Sequence, residues 1–259
     1  MSRQNTRLSS ELKAIAEKGE VSVQDLAQQF GISLITVRRD LAQLAHAGLV
    51  NRTHGGAVAS RAGVVEFSFQ ERESRQAAEK RAIGRRIASM VEPGMAVSLD
   101  TGTTTLEVAR SIAGIGRVTV LTSSLAVASV LHTHEDIEVI LLGGRVRKDS
   151  PDMDGPITED NLKRFRVNLA VLAADGVSPD GVFVTTVGIA RIAEAVMRGA
   201  DRKVLAVDSS KFGRTAFMRY AALEEMDVVV TDSGCPAATR SWLEAKTKQV
   251  VYVDKERTE

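Results

Sequence analysis

The sequence predicts a mixed α/β protein in two parts, a helical N-terminal segment followed by a larger α/β domain. Three observations carry this. Through residue 48 the apolar residues recur at helical spacing. From residue 95 onward, short apolar runs of strand length alternate with amphipathic stretches of helix length, the pattern of a mostly parallel sheet. The charge divides in the same place. Residues 1–86 carry 14 Lys+Arg and 9 Asp+Glu, a net +5, and residues 87–259 carry a net −4, although the whole 259-residue chain is only +1. A basic third joined to an acidic remainder implies different partners for the two parts, with nucleic acid suiting the basic one. A solvated surface fits five excess charges as well.

The first helix is read from Leu8, Leu12, Ile15 and Ala16 and ends at Gly19-Glu20. Ser22 caps a second helix, with Asp25 three residues on as a variant capping box, and Val23, Leu26, Ala27 and Phe30 form its apolar face. Gly31-Ile32 makes a turn. Ser33 caps a third helix with Leu34, Val37, Leu41 and Leu44 facing inward, and Gly48 closes it. A two-stranded element fits Leu49 to Val58 with Gly55-Gly56 at its bend. Residues 59–74 are polar and mixed and read as a linker. The expected division is therefore 1–58, a linker 59–74, and 75–259.

Ala77 to Met90 reads as a helix stopped by Pro93-Gly94. Strands are expected at Met95–Leu99, Val118–Leu121, Ile137–Leu142, Val167–Ala173, Val204–Val207, Val228–Val230 and Val250–Val253. Helices are expected at Thr103–Ala113, Leu125–Leu131, Val187–Gly199 and Pro236–Lys246. No apolar run approaches the length that spans a bilayer, and the polar start Met1–Asn5 is followed by no apolar stretch of signal-peptide type. The single cysteine, Cys235, excludes an internal disulfide and a multi-cysteine metal site. A cytoplasmic protein without a cofactor is expected. His132 and His134, beside Glu135 and Asp136, lack distant ligands and read as solvated loop residues, and no metal site is expected. Cys235 reads as a small packed residue and Trp242 as core.

On a helical wheel the third helix turns Val37, Leu41 and Leu44 to one side. Ile35, Thr36, Arg39, Gln43 and His46 lie on the other, with Arg38 on the flank. A short helix, a glycine turn and a helix with outward arginines make a helix-turn-helix arrangement. Arginine can grip a guanine edge or a phosphate, Ser33 and Thr36 can reach either, and Ile35 can touch a thymine methyl. Arg52 and His54 follow on the hairpin, where a wing would meet the DNA backbone. A helical cap with solvated arginines fits the same pattern.

These residues carry a resemblance. Asp25-Leu26-Ala27, Gly31-Ile32-Ser33, Thr36-Val37-Arg38-Arg39-Asp40-Leu41, Gly48-Leu49-Val50 and Arg52-Thr53-His54-Gly55-Gly56-Ala57 resemble the winged helix-turn-helix of the DeoR family of bacterial transcription regulators. The resemblance implies binding of double-stranded operator DNA by a homo-oligomer, a dimer or tetramer.

In the second part, polar clusters follow the strands, where ligands of open α/β sheets bind. Asp100 and Gly102-Thr103-Thr104-Thr105 open a helix whose free N–H groups suit a phosphate. The hydroxyls serve equally as helix caps. Thr122-Ser123-Ser124, Gly143-Gly144, Asp175-Gly176 and Asp208-Ser209-Ser210-Lys211 follow later strands. Lys211 supplies a cation, and Asp100, Asp175 and Asp208 can accept from sugar hydroxyls. The Asp100–Thr105 loop, Leu142-Gly143-Gly144, Asp208–Gly213 and Val230-Thr231-Asp232 resemble the DeoR sensor domain, a domain similar in fold to ribose-5-phosphate isomerase. That implies a phosphorylated sugar or sugar derivative as effector, and a repressor of a carbohydrate-utilisation operon rather than an enzyme. Two departures bear on the choice of sugar: many family members carry an asparagine where this chain has Ser123, and Val182–Thr186 replaces a more polar segment. The alternative is a sugar-phosphate isomerase-like enzyme with a fused DNA-binding segment. It would need a general base, for which Asp175, Asp208 and Glu194 stand as candidates, and no acid/base pair is evident.

Overall fold

The structure is a computed structural model describing residues 3–46, 49–60, 69–148 and 150–254. Two compact units divide between Ser74 and Arg75, the short Lys148–Ser150 tip aside.

The N-terminal unit contains α1 (Arg3–Lys18), β1 (Glu20–Ser22), α2 (Val23–Phe30), α3 (Leu34–His46), β2 (Val50–Arg52) and β3 (Gly56–Ala59). Its core is Leu12, Ile15, Val21, Leu26, Val37, Leu41, Leu44, Val50 and Ala57. Ser22 caps α2 by accepting from the Asp25 N–H at 3.0 Å, and its own hydroxyl donates to the Asp25 carboxylate. Gly31 ends α2 in the left-handed conformation at φ 64°, where a β-carbon would be strained. Gly48 lies outside the described residues.

Three expectations are corrected in this unit. The sheet has three strands in the order β1-β3-β2, not two. Gly56 is not the bend residue: it lies in β3, opposite Ser22, and a β-carbon there would stand 2.0 Å from the Val21 carbonyl oxygen. Leu34, expected inward, is 40% exposed as the first residue of α3. Within the expected linker, Ala59 closes β3, and residues 69–74 are helical with Phe69 buried and the Arg72 guanidinium 5.6 Å from its ring.

The second unit is built on seven parallel strands in the order β15-β14-β12-β9-β4-β5-β6. They are β4 (Ala96–Leu99), β5 (Val118–Thr122), β6 (Ile137–Leu141), β9 (Val167–Leu172), β12 (Ala200–Ala206), β14 (Val228–Asp232) and β15 (Val250–Val253). Successive residues of β9 and β14 are buried, so both sheet faces are covered. The covering helices include α4 (Ala77–Ala88), α5 (Thr103–Ile112), α6 (Leu125–Leu131), α8 (Val187–Arg198) and α9 (Ala237–Lys246). Gly84 lets α4 approach α5, because a β-carbon there would stand 2.7 Å from the Glu107 carbonyl.

The remaining elements had not been expected from the sequence. A hairpin joins β7 (Arg145–Val146) to β8 (Met153–Asp154), and α7 (Pro156–Leu162) follows. A separate antiparallel sheet runs β10-β11-β13 from Gly176–Ser178, Gly181–Val184 and Met218–Ala221. Trp242 is half-buried and meets Phe212 edge-on at 6.0 Å. Cys235 is buried, and burial pushes its thiol up to about 11.

Chain order explains where a site can form. From β4 the chain winds outward through β5 and β6, then returns to β9 and winds the other way through β12, β14 and β15. The strand order reverses between β4 and β9, the place outside the strand ends where open α/β sheets bind their ligands.

Candidate nucleic-acid interface and effector site

On α3 the sequence-derived DNA candidates divide in two. Ile35 is 77% exposed, and Arg38, Arg39 and Gln43 are exposed beside it. Ser33 and Thr36 face each other instead. The Ser33 hydroxyl accepts from the Thr36 N–H at 3.2 Å and lies 2.9 Å from the Thr36 hydroxyl, so both side chains serve first as the cap of the helix. Arg52 on β2 and His54 in the following bend are exposed. That bend is closed by the Thr53 N–H donating to the Gly56 carbonyl at 3.0 Å. The result is a short helix presenting two cations and an apolar side chain outward, with a basic wing in the same unit.

The Asp40 carboxylate, next in sequence to Arg39, is buried and held by Arg7 through two hydrogen bonds of 2.6 and 3.1 Å. No sequence pattern marks Arg7, since a lone arginine on a helix carries no periodicity of its own.

In the second unit, parallel pairing of β5, β4, β9 and β12 brings the loops after all four to one end of the sheet. Asp100 and Asp175 come together there. Asp100 is buried at the end of β4, and its carboxylate accepts from the Thr101 N–H at 2.7 Å and the Ala173 N–H at 3.0 Å. Burial pushes it up to about 6 against those two bonds, with Asp152 and Asp175 pushing the same way. Tyr220 donates to the Ala173 carbonyl at 2.8 Å, and burial drives its phenol well above the ordinary range.

Gly102 is the N-cap of α5 at φ 129° and provides no side-chain cap, so the first-turn N–H groups keep no partner within the helix. Thr103, Thr104 and Thr105 are buried in that turn. Thr105 donates to the Gly102 carbonyl at 3.0 Å, whereas Thr104 forms no side-chain hydrogen bond among the described residues. Lys211 is half-buried in a single helical turn, and no carboxylate pairs with it among the described residues.

Other candidates are occupied by the fold. Thr122 donates to the Leu99 carbonyl at 2.8 Å and accepts from the Ser124 N–H at 3.0 Å. Ser123 is buried, and its carbonyl accepts from Met153. Gly143 and Gly144 make room for α7: Thr158 donates to the Gly143 carbonyl at 2.7 Å, and a β-carbon on Gly144 would lie 2.1 Å from the Thr158 hydroxyl oxygen. Gly176 sits in β10, where a β-carbon would stand 2.6 Å from the Arg214 carbonyl. Asp175 accepts from the Thr185 N–H at 2.8 Å. Asp208 is buried and accepts from the Ser210 N–H and hydroxyl, which fixes the turn that carries Lys211.

Four further residues complete this end of the sheet. Asp232 accepts from the Ser209 N–H at 2.6 Å and the Gly234 N–H at 2.9 Å, bracing the Lys211 turn. Asp152 is buried, acts on Asp100 through space, and is gripped by Arg147, which also donates to Thr186 at the start of α8 at 3.4 Å. At the opposite end, a groove of about 550 Å³ is lined by Arg117, Glu135, Asp136 and Glu138. Its acidic rim disfavours an anion. His132 lies nearby, within hydrogen-bond distance of the Ala128 and Ser129 carbonyls.

Each of the two units matches a known domain. Residues 7–62 match the DeoR-like helix-turn-helix domain and residues 75–233 the DeoR C-terminal sensor domain. The glycerol-3-phosphate regulon repressor of Escherichia coli is 31% identical over 237 residues, covering 91% of this chain and 94% of that protein. The HTH-type transcriptional regulator GlpR of Haloferax volcanii is 34% identical, covering 93% and 94%. The transcriptional repressor CsqR of Escherichia coli is 30% identical, covering 95% of each. Among solved structures, ribose 5-phosphate isomerase A of Methanocaldococcus jannaschii is 19% identical over 54% of this chain and 55% of its own, with a TM-score of 0.39. With both units matched by their domain models and relatives at 30% identity or more spanning over nine-tenths of it, this chain belongs to the DeoR family of DNA-binding transcription regulators.

Proposed function

We propose that the chain represses a carbohydrate-utilisation operon in the cytoplasm, as a homo-oligomer, and that a phosphorylated sugar or sugar derivative modulates its hold on operator DNA. Among the described residues no helix is long and apolar enough to cross a membrane. The observation that carries the effector reading is the α5 N-terminus. A helix N-terminus with no side-chain cap at Gly102, the Thr104 hydroxyl, and Lys211, which pairs with no carboxylate among the described residues, lie at one end of the sheet and suit a phosphate. The carboxylates of Asp100 and Asp175 beside them suit the hydroxyls of the same ligand. Relatives spanning over nine-tenths of this chain are named as regulators, which favours this reading over an isomerase-like enzyme.

The test is a titration of phosphorylated compounds, glycerol 3-phosphate and pentose and hexose phosphates included, into a complex of the protein with DNA flanking its own gene. A coupling of ~1–3 kcal/mol changes affinity by ~5–150-fold. One phosphate ester is expected to act in that range while its unphosphorylated parent does not. Equal effects from both, or isomerisation of the sugar phosphate at an enzymatic rate, would overturn the reading.

A further inference from the structure

Glu11 on α1 is fully buried, no donor among the described residues reaches either oxygen of its carboxyl, and the group within its hydrogen-bonding reach is the Asp40 carboxyl, itself an acceptor unless one of the two is protonated. It stands one turn along α1 from Arg7, and both act electrostatically with Asp40 of α3. Two carboxyl groups thus share one guanidinium, and that guanidinium is already committed to Asp40 through both its hydrogen bonds. An ionised Glu11 would place an uncompensated negative charge between α1 and α3, which a buried site resists.

The surroundings offer no second cation among the described side chains. α3, β1 and β3 pack on α1, and Lys18 of α1 also reaches Gln29 of α2, whose titratable side chain, Asp25, is exposed. On α3, among the described side chains, Arg38 and Arg39 are exposed and Asp40 faces inward. On β1, Glu20 is exposed, and β3 has no titratable side chain. On α1 itself Lys13, Glu17 and Lys18 are exposed. Burial therefore pushes the Glu11 carboxyl up to about 7, with Asp40 pushing the same way and Arg7 pulling back.

We propose that Glu11 is a positioning residue for the DNA-contacting helix, and that operator binding takes up its proton. The neutral acid leaves the Arg7–Asp40 pair intact and α3 seated against α1. Ionisation sets two carboxylates against each other at the residue that follows Arg38 and Arg39. Bringing the phosphates of DNA up to α3 adds negative charge and favours the protonated form further. Operator affinity accordingly falls as pH rises through neutrality. The inference rests on α3 being the operator-contacting helix.

The experiment measures operator affinity of the full chain between about pH 6 and about pH 8.5 at fixed ionic strength, for wild type, Glu11→Gln and Glu11→Leu; one linked proton gives at most about a tenfold change per pH unit. Wild type is expected to lose affinity several-fold more steeply than either variant. All other side chains are the same in the three proteins, so contributions to the pH dependence that do not come from residue 11 cancel in the comparison. Equal pH slopes in wild type and a folded variant would overturn the proposal. A second reading needs no variant: the side-chain carboxyl carbon of Glu11, followed by NMR, is expected to titrate near neutrality, and a midpoint in the ordinary glutamate range would also overturn it. Absence of operator binding at any pH would instead sink the reading of α3, and the NMR midpoint would still decide where the proton resides.

Discussion

Asp100 at the end of β4 accepts a hydrogen bond from the Ala173 N–H at the end of β9, across the point where the strand order reverses. One buried carboxylate thereby ties together the two loops that follow β4 and β9. Asn at this position keeps one acceptor and presents an NH₂ group where an acceptor is needed. One backbone N–H then stays unpaired inside, at ~1–3 kcal/mol. The titration adds a pH signature. The folded chain holds the Asp100 proton up to about 6, against an ordinary 3.8. The stability this contributes is fully present below the ordinary value and is lost as pH rises through about 6. Asp100→Asn is expected to be destabilised throughout, with the gap from wild type larger in mild acid than above neutrality. Thermal unfolding of both proteins across that range checks it, and a gap that widens with pH would contradict the sign.

Gly56→Ala tests the close approach in the N-terminal unit. The added methyl would lie 2.0 Å from the Val21 oxygen and 2.8 Å from the Ser22 α-carbon, both backbone. Neither atom can yield without breaking the β1–β3 pairing that places the wing, a strain costing ~1–3 kcal/mol or more. Operator affinity is expected to collapse. The only tryptophan, Trp242, belongs to the other unit, so its fluorescence unfolding midpoint should stay at the wild-type value. A shift of that midpoint with DNA binding intact would reverse the expectation.

The parallel strands were legible because each contains a short apolar run followed by Gly, Asp, Ser or Thr, and alternation of such runs with helices implies parallel pairing, although it leaves the order of the strands in the sheet open. The other elements lacked that signal. β1 is three residues long with one buried side chain, and its Ser22 reads first as a helix cap. The β7–β8 hairpin is held by Arg145–Asp154 and Arg147–Asp152 ion pairs instead of an apolar period. In the candidate site, the strand-end clusters could be seen in the sequence, but their division of labour could not. Thr122 and the Gly143-Gly144 pair look like ligand groups until their partners, Leu99 and Thr158, are brought beside them by the fold. Among the described residues no such side-chain partner meets Lys211 or the Thr104 hydroxyl.

On α3, Arg39 stands on the outward face and Arg38 on its flank. Arg39→Ala is expected to cost ~1–3 kcal/mol on the operator if it reads a base edge, with a smaller loss on random DNA. Arg38→Ala is expected to weaken both more equally and to lower the salt dependence, as the loss of a phosphate contact does. Titrating both variants against both DNAs at two salt concentrations distinguishes the roles. Unchanged affinity in both would remove α3 from the interface.

Thr104→Val combined with Lys211→Ala tests the effector site without touching the DNA-binding unit. Thr104 sits in the first turn of α5, buried, with a hydroxyl that no described side chain engages. Valine keeps its shape and removes the donor. Lys211 projects from the turn that Asp208 and Asp232 hold in place, and shortening it to alanine leaves that turn's backbone bonds intact. Both substitutions therefore subtract phosphate donors at little cost to the fold. The double variant is expected to bind operator as wild type does and to lose the response to the phosphorylated effector, a loss of ~5–150-fold modulation if the coupling is ~1–3 kcal/mol. Asp100 and Asp175 remain, so any residual response should become indifferent to whether the sugar carries its phosphate. Effector titration into operator complexes of both proteins is the measurement. A double variant that still discriminates the phosphorylated sugar would mean that the phosphate is held by other groups.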